Sequence, residues 1–457
     1  MKVLTFITLC IQCVLSFSPY KKIEYYQVSG QDYGEPVFLT KYLEKHDVEG
    51  AREASFVPPM VENVFSYAGY FTVNKTHNSN LFFWYFPAED NLDRAPVVVW
   101  LQGGPGASSM YGLFTEHGPL RLINGEVKLY EHRWTKFAHM IYIDNPVGTG
   151  FSFTDKDGYS TDETMVGNNL HEAIRQFFQV FPDLKKNDFF VTGESYGGKY
   201  VPAMAYTIHE KNKLSHEKLN LKGFAIGNGL CDPINMLNYG KHLNELGLID
   251  SPTKLKFERI QNKLREHIKK EEYVEAFETF DTLLNGDLTP YPSLFANVTG
   301  FSFYFNFLHT KDNSDADLGK FFQKDTVRKS IHVGNLTFNS GRVVEQHLVQ
   351  DVMKSIKPWF EVLIEKYRVL IYNGQLDIIV AYPLTLDFLQ TVNWSGSQAY
   401  KRAQRKKWYV DSELAGYYKT VKGFTEVLVR NAGHMVPSDQ PVWAFDLMER
   451  FLYNKPM

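Results

Sequence analysis

The chain has 457 residues, of which 44% are hydrophobic, 22% charged and 15% aromatic. This composition excludes a mostly disordered or fibrous protein, and the length suits one large domain or a few small ones. The 49 Lys and Arg residues nearly balance the 52 Asp and Glu residues, so no overall charge indicates binding to nucleic acid.

The start of the chain has the pattern of a secretory signal peptide. A basic second residue precedes an apolar run over residues 3–15 and the small residue Ser16. A bilayer span takes about 20 apolar residues, so this run is too short, and we expect no membrane anchor. The pattern predicts a signal peptide over residues 1–16 and a mature chain over 17–457 that enters the secretory pathway.

In a chain that enters the secretory pathway, cysteines can form disulfides and sequons can carry glycans. Cys231 is the one cysteine of the predicted mature chain, which excludes an internal disulfide. Sequons for N-glycosylation, Asn-x-Ser/Thr, occur four times, and we expect a surface loop at each. The predicted glycosylation sites are Asn74, Asn297, Asn335 and Asn393.

Predicted strands and helices alternate along most of the chain. An antiparallel pair over residues 61–74 and 80–87 precedes a series of short apolar runs typical of strands buried on both faces. Helical patterns over 199–213 and 165–179 separate several of them, which predicts an α/β protein with a mostly parallel sheet. The buried strands are expected at 96–101, 140–144, 189–192, 223–226, 369–372 and 426–429.

The pattern changes between about residues 233 and 357. Residues 254–269 and 273–284 are charged with helical period, residues 301–308 are strongly aromatic, and no run is typical of a central strand. We interpret this region as a helical cap inserted into a single domain, because the chain shows no internal repeat or low-complexity linker.

The first chemical motif is a G-x-S-x-G segment at residues 193–197. It follows the predicted strand at 189–192 and precedes the predicted helix at 199–213. The small residues of this motif let a serine occupy a sharp strand-to-helix turn with its hydroxyl above the sheet. The context favours a nucleophile at Ser195 over a Gly-rich loop without chemistry.

A neutral serine is a weak nucleophile, so a base must take its proton. In this architecture an acid and then a histidine follow the serine along the chain. Asp377 follows the predicted strand at 369–372, and His434 follows the one at 426–429. Each other histidine after Ser195 fails to lie both beyond Asp377 and at a strand exit, so we predict a triad of Ser195, Asp377 and His434.

Acyl transfer also needs hydrogen-bond donors for the oxygen that becomes negative. The Gly-rich residues 102–106 follow the predicted strand at 96–101, where this architecture places such a loop. The backbone N–H groups of Gly104 and Tyr196 are the predicted oxyanion hole. The alternative, a phosphate-binding loop, is disfavoured because the Lys and Ser/Thr of a P-loop are missing.

Four long motifs surround these residues. They are WLQGGPGASS at 100–109, IDNPVGTGFS at 143–152, GESYGGKY at 193–200 and NAGHMVP at 431–437. They resemble the motifs of the serine carboxypeptidases, and the likeness extends from about residue 61 to 451. The resemblance implies an α/β-hydrolase fold with a helical cap, and a C-terminal exopeptidase that works at acidic pH without metal or cofactor.

Two positions depart from the usual pattern of this family. The family usually has Asn where Gln102 stands and Cys where Ala107 stands. Gln and Ala at these positions are similar to the vitellogenic carboxypeptidase branch. The family's usual disulfide to position 107 cannot form here.

The resemblance further implies that Gln102, Gly103, Glu116 and Glu194 bind the carboxylate of the substrate, and that Met435 lines the pocket of the leaving residue. Two carboxyl groups beside a substrate carboxylate cannot all be ionised, so one must stay protonated and donate a hydrogen bond. Structural alternatives stay open. Gln102 could cap a turn, Glu116 could be solvated, Glu194 could merely fill the motif, and Met435 could pack in the core.

We therefore predict a serine carboxypeptidase that releases C-terminal residues from peptides and proteins through an acyl-enzyme. Two alternatives stay open, an acyltransferase or esterase on the same scaffold and a catalytically silent yolk or scaffold protein. The expected partners are peptide C-termini, not nucleic acid, and the sequence leaves a homodimer open. It also leaves open whether the final location is extracellular or an acidic compartment such as a lysosome or yolk granule.

Overall fold

A computed structural model describes residues 32–289, 292–312 and 317–457. The predicted signal peptide, residues 1–16, lies outside this part of the chain. None of the helices described is both long enough and apolar enough to cross a membrane.

The strands of the described residues form one large sheet and two small ones. The large sheet has 11 strands in the order β1-β2-β3-β7-β4-β9-β10-β12-β15-β14-β13. The strands are β1 (Phe56–Val57), β2 (Ser66–Asn74), β3 (Ser79–Phe86), β4 (Val97–Leu101), β5 (Leu120–Ile123), β6 (Glu126–Leu129), β7 (His139–Ile143), β8 (Thr149–Gly150), β9 (Phe189–Glu194), β10 (Leu221–Gly227), β11 (Asn339–Ser340), β12 (Arg368–Gly374), β13 (Lys406–Val410), β14 (Glu413–Val421) and β15 (Phe424–Val429).

The centre of the large sheet is parallel and its edges are antiparallel. Strands β7, β4, β9, β10, β12 and β15 pair in parallel, which confirms the predicted buried strands. The predicted antiparallel pair is β2 and β3, although β2 begins at Ser66 and not at residue 61. Since parallel strands end at the same edge, the loops that follow them meet there.

Helices cover both faces of the sheet. They are α1 (Thr40–Leu43), α2 (Val48–Ser55), α3 (Glu163–Val180), α4 (Gly197–Leu214), α5 (Tyr239–Glu245), α6 (Ser251–Lys269), α7 (Tyr273–Phe280), α8 (Leu294–Thr299), α9 (Leu318–Phe321), α10 (Asp325–Ser330), α11 (Arg342–Val352), α12 (Lys357–Ile364), α13 (Tyr382–Thr391), α14 (Ser397–Arg402), α15 (Val436–Asp439) and α16 (Pro441–Leu452). This architecture is the α/β-hydrolase fold.

Helix α3 illustrates how the sequence builds this layer. Asp162 caps its start by accepting a hydrogen bond from the Met165 N–H at 2.8 Å. Val166, Leu170 and Ile174 follow at a spacing of four residues, so they lie on one face and are buried against the sheet. Each such side chain contributes about 1.5–3 kcal/mol on burial, which holds the helix against the sheet.

The chain between β10 and β12 is mostly helical. It holds α5 to α12, and the described residues of this stretch contribute no strand to the large sheet, because β11 pairs only with β8. Residues 233–357, called the cap region below, supply buried side chains to the same apolar cluster as α3 and α4. The bounds of the cap as an insertion, and the single domain over 17–457, stay predictions.

All four predicted glycosylation sites are exposed. Asn335 and Asn393 lie in loops, as expected. The expected loop is wrong at the other two, because Asn74 is the last residue of β2 and Asn297 lies within α8. These two sequons show that an exposed asparagine can belong to a strand or a helix as well as to a loop.

Candidate active site

Ser195 lies on a sharp turn between β9 and α4. Its backbone φ is +61°, in the left-handed region that a non-glycine residue seldom adopts. The turn packs against the end of β4, where a β-carbon on Gly193 or Gly197 would lie 2.4 or 2.7 Å from the Leu101 carbonyl oxygen. The motif therefore needs glycine at both positions for the serine to stand at the end of the sheet.

Asp377 and His434 are in direct contact. The Nδ1 atom of His434 lies 2.7 Å from Oδ2 of Asp377, and both side chains are almost completely buried. A carboxylate at this distance fixes the proton on Nδ1 and leaves Nε2 as the acceptor. Among the described residues, Nε2 of His434 has no hydrogen-bond partner, so no bond to Ser195 is formed here. Such catalytic bonds are often long before substrate binds.

Asn228 donates to the same oxygen of Asp377 that His434 contacts, and our sequence interpretation missed this residue. Its amide Nδ2 donates to Oδ2 of Asp377 at 2.7 Å, and its Oδ1 accepts from the Gly374 N–H at 3.0 Å. Asn228 follows β10 with a φ of +42°, which asparagine tolerates better than most residues. A polar residue between two glycines at a strand exit is the signal that could have identified it.

The predicted oxyanion donors lie next to each other. A β-carbon on Gly103 would lie 2.5 Å from the Tyr196 nitrogen and 2.6 Å from Cβ of Ser195, so the loop after β4 rests directly on the nucleophile turn. Within the described residues neither the Gly104 N–H nor the Tyr196 N–H donates a hydrogen bond. Both are free to bind a substrate oxygen.

Gln102 connects the two carboxyl groups that the resemblance singled out. Its Nε2 donates to Oε1 of Glu194 at 2.7 Å and to Oε1 of Glu116 at 3.2 Å. Its Oε1 accepts from the Trp100 indole N–H at 2.8 Å, which fixes the orientation of the amide. Glu116 is the last residue of a π-helical turn, Gly112–Glu116, a distortion frequent at functional sites.

The two carboxyl groups resist ionisation. Burial raises the pKa of Glu116 to about 7, although the hydrogen bond from Gln102 and the charge of His434 lower it. Burial also raises the pKa of Glu194 well above its ordinary value, and the charge of Glu116 raises it further. The Oε2 atoms of both lack a partner in the described part of the chain. They are thus a buried acid pair with two unused polar atoms.

Two further polar residues shape the site and were missed from sequence. Asp144 accepts from the Ser108 hydroxyl at 2.5 Å and the Ser109 N–H at 3.1 Å, which secures the loop after β4. Burial raises the pKa of Asp144 to about 7. The buried hydroxyl of Tyr372 has no partner among the described residues, and its ring occupies the space beside Gly227.

Met435 is the predicted site residue with the weakest contact to this group. It is half-buried and packs against the larger apolar cluster, so the core-packing alternative stays open. No set of three or more His, Cys, Asp or Glu side chains in the described residues could hold a metal ion.

A family model described as serine carboxypeptidase matches residues 58–454. The chain belongs to the serine carboxypeptidase family. It is therefore a hydrolase that acts as an exopeptidase on peptides. The cap region, the loops of the predicted triad and the pair of buried glutamates all lie within the matched residues.

Relatives in this family are similar over nearly their whole length. The chain is 54% identical to the venom serine carboxypeptidase of Apis mellifera, covering 93% of this chain and 92% of the relative. It is 49% identical to the vitellogenic carboxypeptidase of Aedes aegypti, covering 96% and 95%. Among solved structures, a prohormone-processing carboxypeptidase of Saccharomyces cerevisiae, Kex1, matches with a TM-score of 0.74 and 26% identity, covering 89% of this chain and 97% of that one.

Proposed function

We propose that this carboxypeptidase removes C-terminal residues in acidic surroundings through an acyl-enzyme at Ser195. The observation that carries the proposal is the buried Glu116–Glu194 pair, whose unused oxygens lie in the same site as His434. A protonated carboxyl group can donate to the free carboxylate of a peptide, and an internal peptide bond offers no such group. The pair therefore selects the C-terminal residue.

In the first half of the proposed reaction, Nε2 of His434 takes the Ser195 proton while Oγ attacks the scissile carbonyl carbon. Asp377 keeps the imidazole oriented and stabilises its positive charge. The carbonyl oxygen becomes an oxyanion that accepts hydrogen bonds from the N–H groups of Gly104 and Tyr196. The C–N bond then breaks, the leaving amine takes the proton from His434, and the acyl group stays on Oγ.

In the second half, water replaces the leaving amine. His434 takes a proton from water, the hydroxide attacks the acyl carbon, and the proton returns to Oγ of Ser195 as the ester bond breaks. The products are the released C-terminal residue and the shortened peptide.

Gln102 acts here by orienting Glu116 and Glu194, since both hydrogens of its amide are already donated to them.

The acid pair gives the proposed reaction its pH dependence. Below the Glu116 pKa of about 7 both carboxyl groups carry protons and can donate to the substrate. When the pH rises through that value, Glu116 becomes negative and repels the substrate carboxylate. Binding is therefore strongest in acidic conditions.

The test compares a blocked dipeptide with its C-terminally amidated twin at about pH 5, with wild type and Ser195→Ala. We expect cleavage of the free acid only, and loss of cleavage in the variant. Equal cleavage of acid and amide would assign a broader amidase or esterase and remove the proposed roles of Glu116 and Glu194. Cleavage of neither, without labelling of Ser195 by a fluorophosphonate, would support a catalytically silent protein.

We also propose that the chain enters the secretory pathway and carries N-linked glycans at Asn74, Asn297, Asn335 and Asn393. The predicted signal peptide and the exposure of all four asparagines support this. Treatment of the secreted protein with an endoglycosidase should lower its apparent mass. An Asn→Gln substitution at any one site should make that fall in apparent mass smaller by the mass of one glycan.

A further inference from the structure

Part of the cap region connects the two loops that carry the catalytic acid and base. Residues 304–307, called the bridging segment, lie against the loop that follows β12. The Ile378 N–H donates to the carbonyl oxygen of Tyr304, the first residue of the segment, at 3.1 Å. The N–H of Phe307, the last residue, donates to the Leu376 carbonyl oxygen at 3.0 Å. The segment thus holds the loop on both sides of Asp377.

The same segment holds the loop of His434. The His434 N–H donates to the Phe305 carbonyl oxygen at 2.6 Å, and the Phe305 ring stacks on the imidazole with centroids 4.7 Å apart at 27°. A β-carbon on Gly433 would lie 2.2 Å from that carbonyl oxygen, so only glycine allows this approach. The ring and the carbonyl together limit how the imidazole can rotate.

A side-chain contact closes the arrangement. The buried amide of Asn306 donates from Nδ2 to Oδ2 of Asp439 at 3.0 Å, and the Gly433 N–H donates to the same oxygen at 2.6 Å. Oδ1 of Asn306 accepts from the Leu308 N–H at 3.0 Å. Asp439 itself is exposed, so one carboxylate at the surface anchors both the bridging segment and the residue before His434.

These contacts add to direct bonds between the loops, namely the backbone bond from the Leu376 N–H to the Ala432 carbonyl oxygen at 2.7 Å and the bond between His434 and Asp377. The contacts on both sides of Asp377 and on the ring of His434 oppose twisting of the loops about those bonds. A misplacement of about 1 Å in a catalytic group can cost about 100-fold in rate. Contacts that hold this pair in its orientation can therefore affect the rate strongly.

We propose that the bridging segment positions the catalytic pair, with Phe305 and Asn306 as positioning residues and Asp439 as their anchor. This rests on the proposed roles of Asp377 and His434 in acyl transfer. The cap thereby influences the chemistry through the orientation of the catalytic pair.

The main test uses Asp439, which reaches the surface although its two hydrogen bonds are partly buried, so Tm is measured together with activity. Asp439→Ala removes the acceptor for both donors. Asp439→Asn keeps a carbonyl oxygen in the same place and retains both bonds. We measure kcat and KM on a blocked dipeptide at about pH 5, the rate of Ser195 labelling by a fluorophosphonate, and Tm. We expect Asp439→Ala to lower kcat and labelling about tenfold with KM within about twofold, and Asp439→Asn to restore both.

A second pair tests the ring contact. Phe305→Leu keeps apolar volume and removes the stacking on His434, whereas Phe303→Leu changes a neighbouring ring that contacts Phe305 and not the imidazole. We expect about a tenfold loss of the labelling rate for Phe305→Leu and less than about a twofold loss for Phe303→Leu.

Four outcomes overturn the proposal. Asp439→Ala could label Ser195 as fast as wild type, or its loss could fall on KM alone. Asp439→Asn could lose as much activity as Asp439→Ala, or equal losses could appear at positions 303 and 305. Wild-type enzyme that fails to react with the fluorophosphonate at all would instead remove the proposed function, and this inference with it.

Discussion

At the level of single residues, the electrostatics of the site depend on two carboxyl groups that one amide holds together. Gln102 donates to both Glu116 and Glu194, and burial raises both pKa values. An ionised buried carboxylate needs donors, and one amide supplies only two hydrogens for four oxygens. The protonated form of the pair therefore has the lower free energy at acidic pH, and each carboxyl group keeps a hydrogen that it can donate.

The acid pair predicts a measurable pH dependence. Burial raises the pKa of Glu116 to about 7 and the pKa of Glu194 well above 4.5, so we expect the pair to lose a proton as the pH rises through about 7. We expect wild-type KM to rise about tenfold per pH unit above that value. In Glu116→Gln this rise should disappear between about pH 6 and 8, because the amide cannot ionise. Steady-state kinetics over this range on a blocked dipeptide measure the effect.

Glu194→Gln is the matched control for this measurement. This substitution leaves Glu116 as the carboxyl group of the pair that can still ionise, so the KM rise should persist. A wild-type-like pH profile in Glu116→Gln would contradict ionisation of Glu116 in this pH range. Equal flattening in both variants would mean that the two groups titrate as one unit.

At the level of elements, the site depends on how closely the loop after β4 approaches the turn between β9 and α4. Backbone in contact with backbone leaves no room for side chains, which explains glycine at 103, 193 and 197. The contact places Gly103, the residue before the predicted donor Gly104, against the Tyr196 nitrogen and Cβ of Ser195. Two parallel neighbouring strands deliver this geometry because both end at the same edge.

Gly103→Ala tests the contact between these elements. The added β-carbon would lie 2.5 Å from the Tyr196 nitrogen, so one of the two loops must move. We expect kcat to fall at least about 100-fold, because an oxyanion donor moves away from its position. Gly423→Ala is the control, since its β-carbon would meet nothing nearer than 3.5 Å and activity should be unchanged. Normal activity in Gly103→Ala would contradict the predicted oxyanion hole.

At the level of the whole molecule, a buried ion pair fastens the cap region to the core of the enzyme. Nζ of Lys199 on α4 lies 2.7 Å from Oδ2 of Asp351 on α11, and the Tyr196 hydroxyl donates to the same oxygen. Glu163 is buried nearby, and neither of its oxygens has a partner in the described residues. One lysine therefore faces two carboxyl groups, and the second is best kept neutral.

Glu163 links this cluster to the stability of the fold. Burial raises its pKa well above the ordinary 4.5, the charge of Asp351 raises it further, and Lys199 lowers it. A carboxyl group with a raised folded pKa stabilises the fold below its unfolded pKa and loses that contribution as the pH rises. We expect Glu163→Gln to gain in Tm relative to wild type by about 1–2 °C between about pH 5 and 8. Thermal unfolding followed by circular dichroism measures the difference.

Glu89→Gln is the control for this pH effect. Burial raises the pKa of Glu89, but hydrogen bonds to Arg133 and Thr135 outweigh it and hold that pKa below 4.5. Its contribution is lost only as the pH falls below that value, so the difference from wild type should stay constant between about pH 5 and 8. A constant difference in Glu163→Gln as well would contradict a neutral Glu163.

Much of the architecture could be predicted because it follows from local patterns. The buried strands, α3 and α4 were recognisable from apolar runs and period, and only their ends differ in the structure. Loops at the sequons were wrong at Asn74 and Asn297, since a three-residue motif says nothing about backbone pairing. Strand β14, which lies between β15 and the edge strand β13, was not predicted, because its mixed burial does not form a continuous apolar run.

The sequence by itself determined the family, the α/β-hydrolase fold and the order of the chemical groups along the chain. It could do so because a strained turn needs particular glycines and a catalytic triad needs particular side chains at strand exits, both of which are local demands. Only the tertiary structure decided that Asn228 and residues 304–307 contact Asp377, His434 and their loops. These contacts join segments far apart in the chain, and no local pattern encodes a distance between two loops until the sheet and the cap have packed.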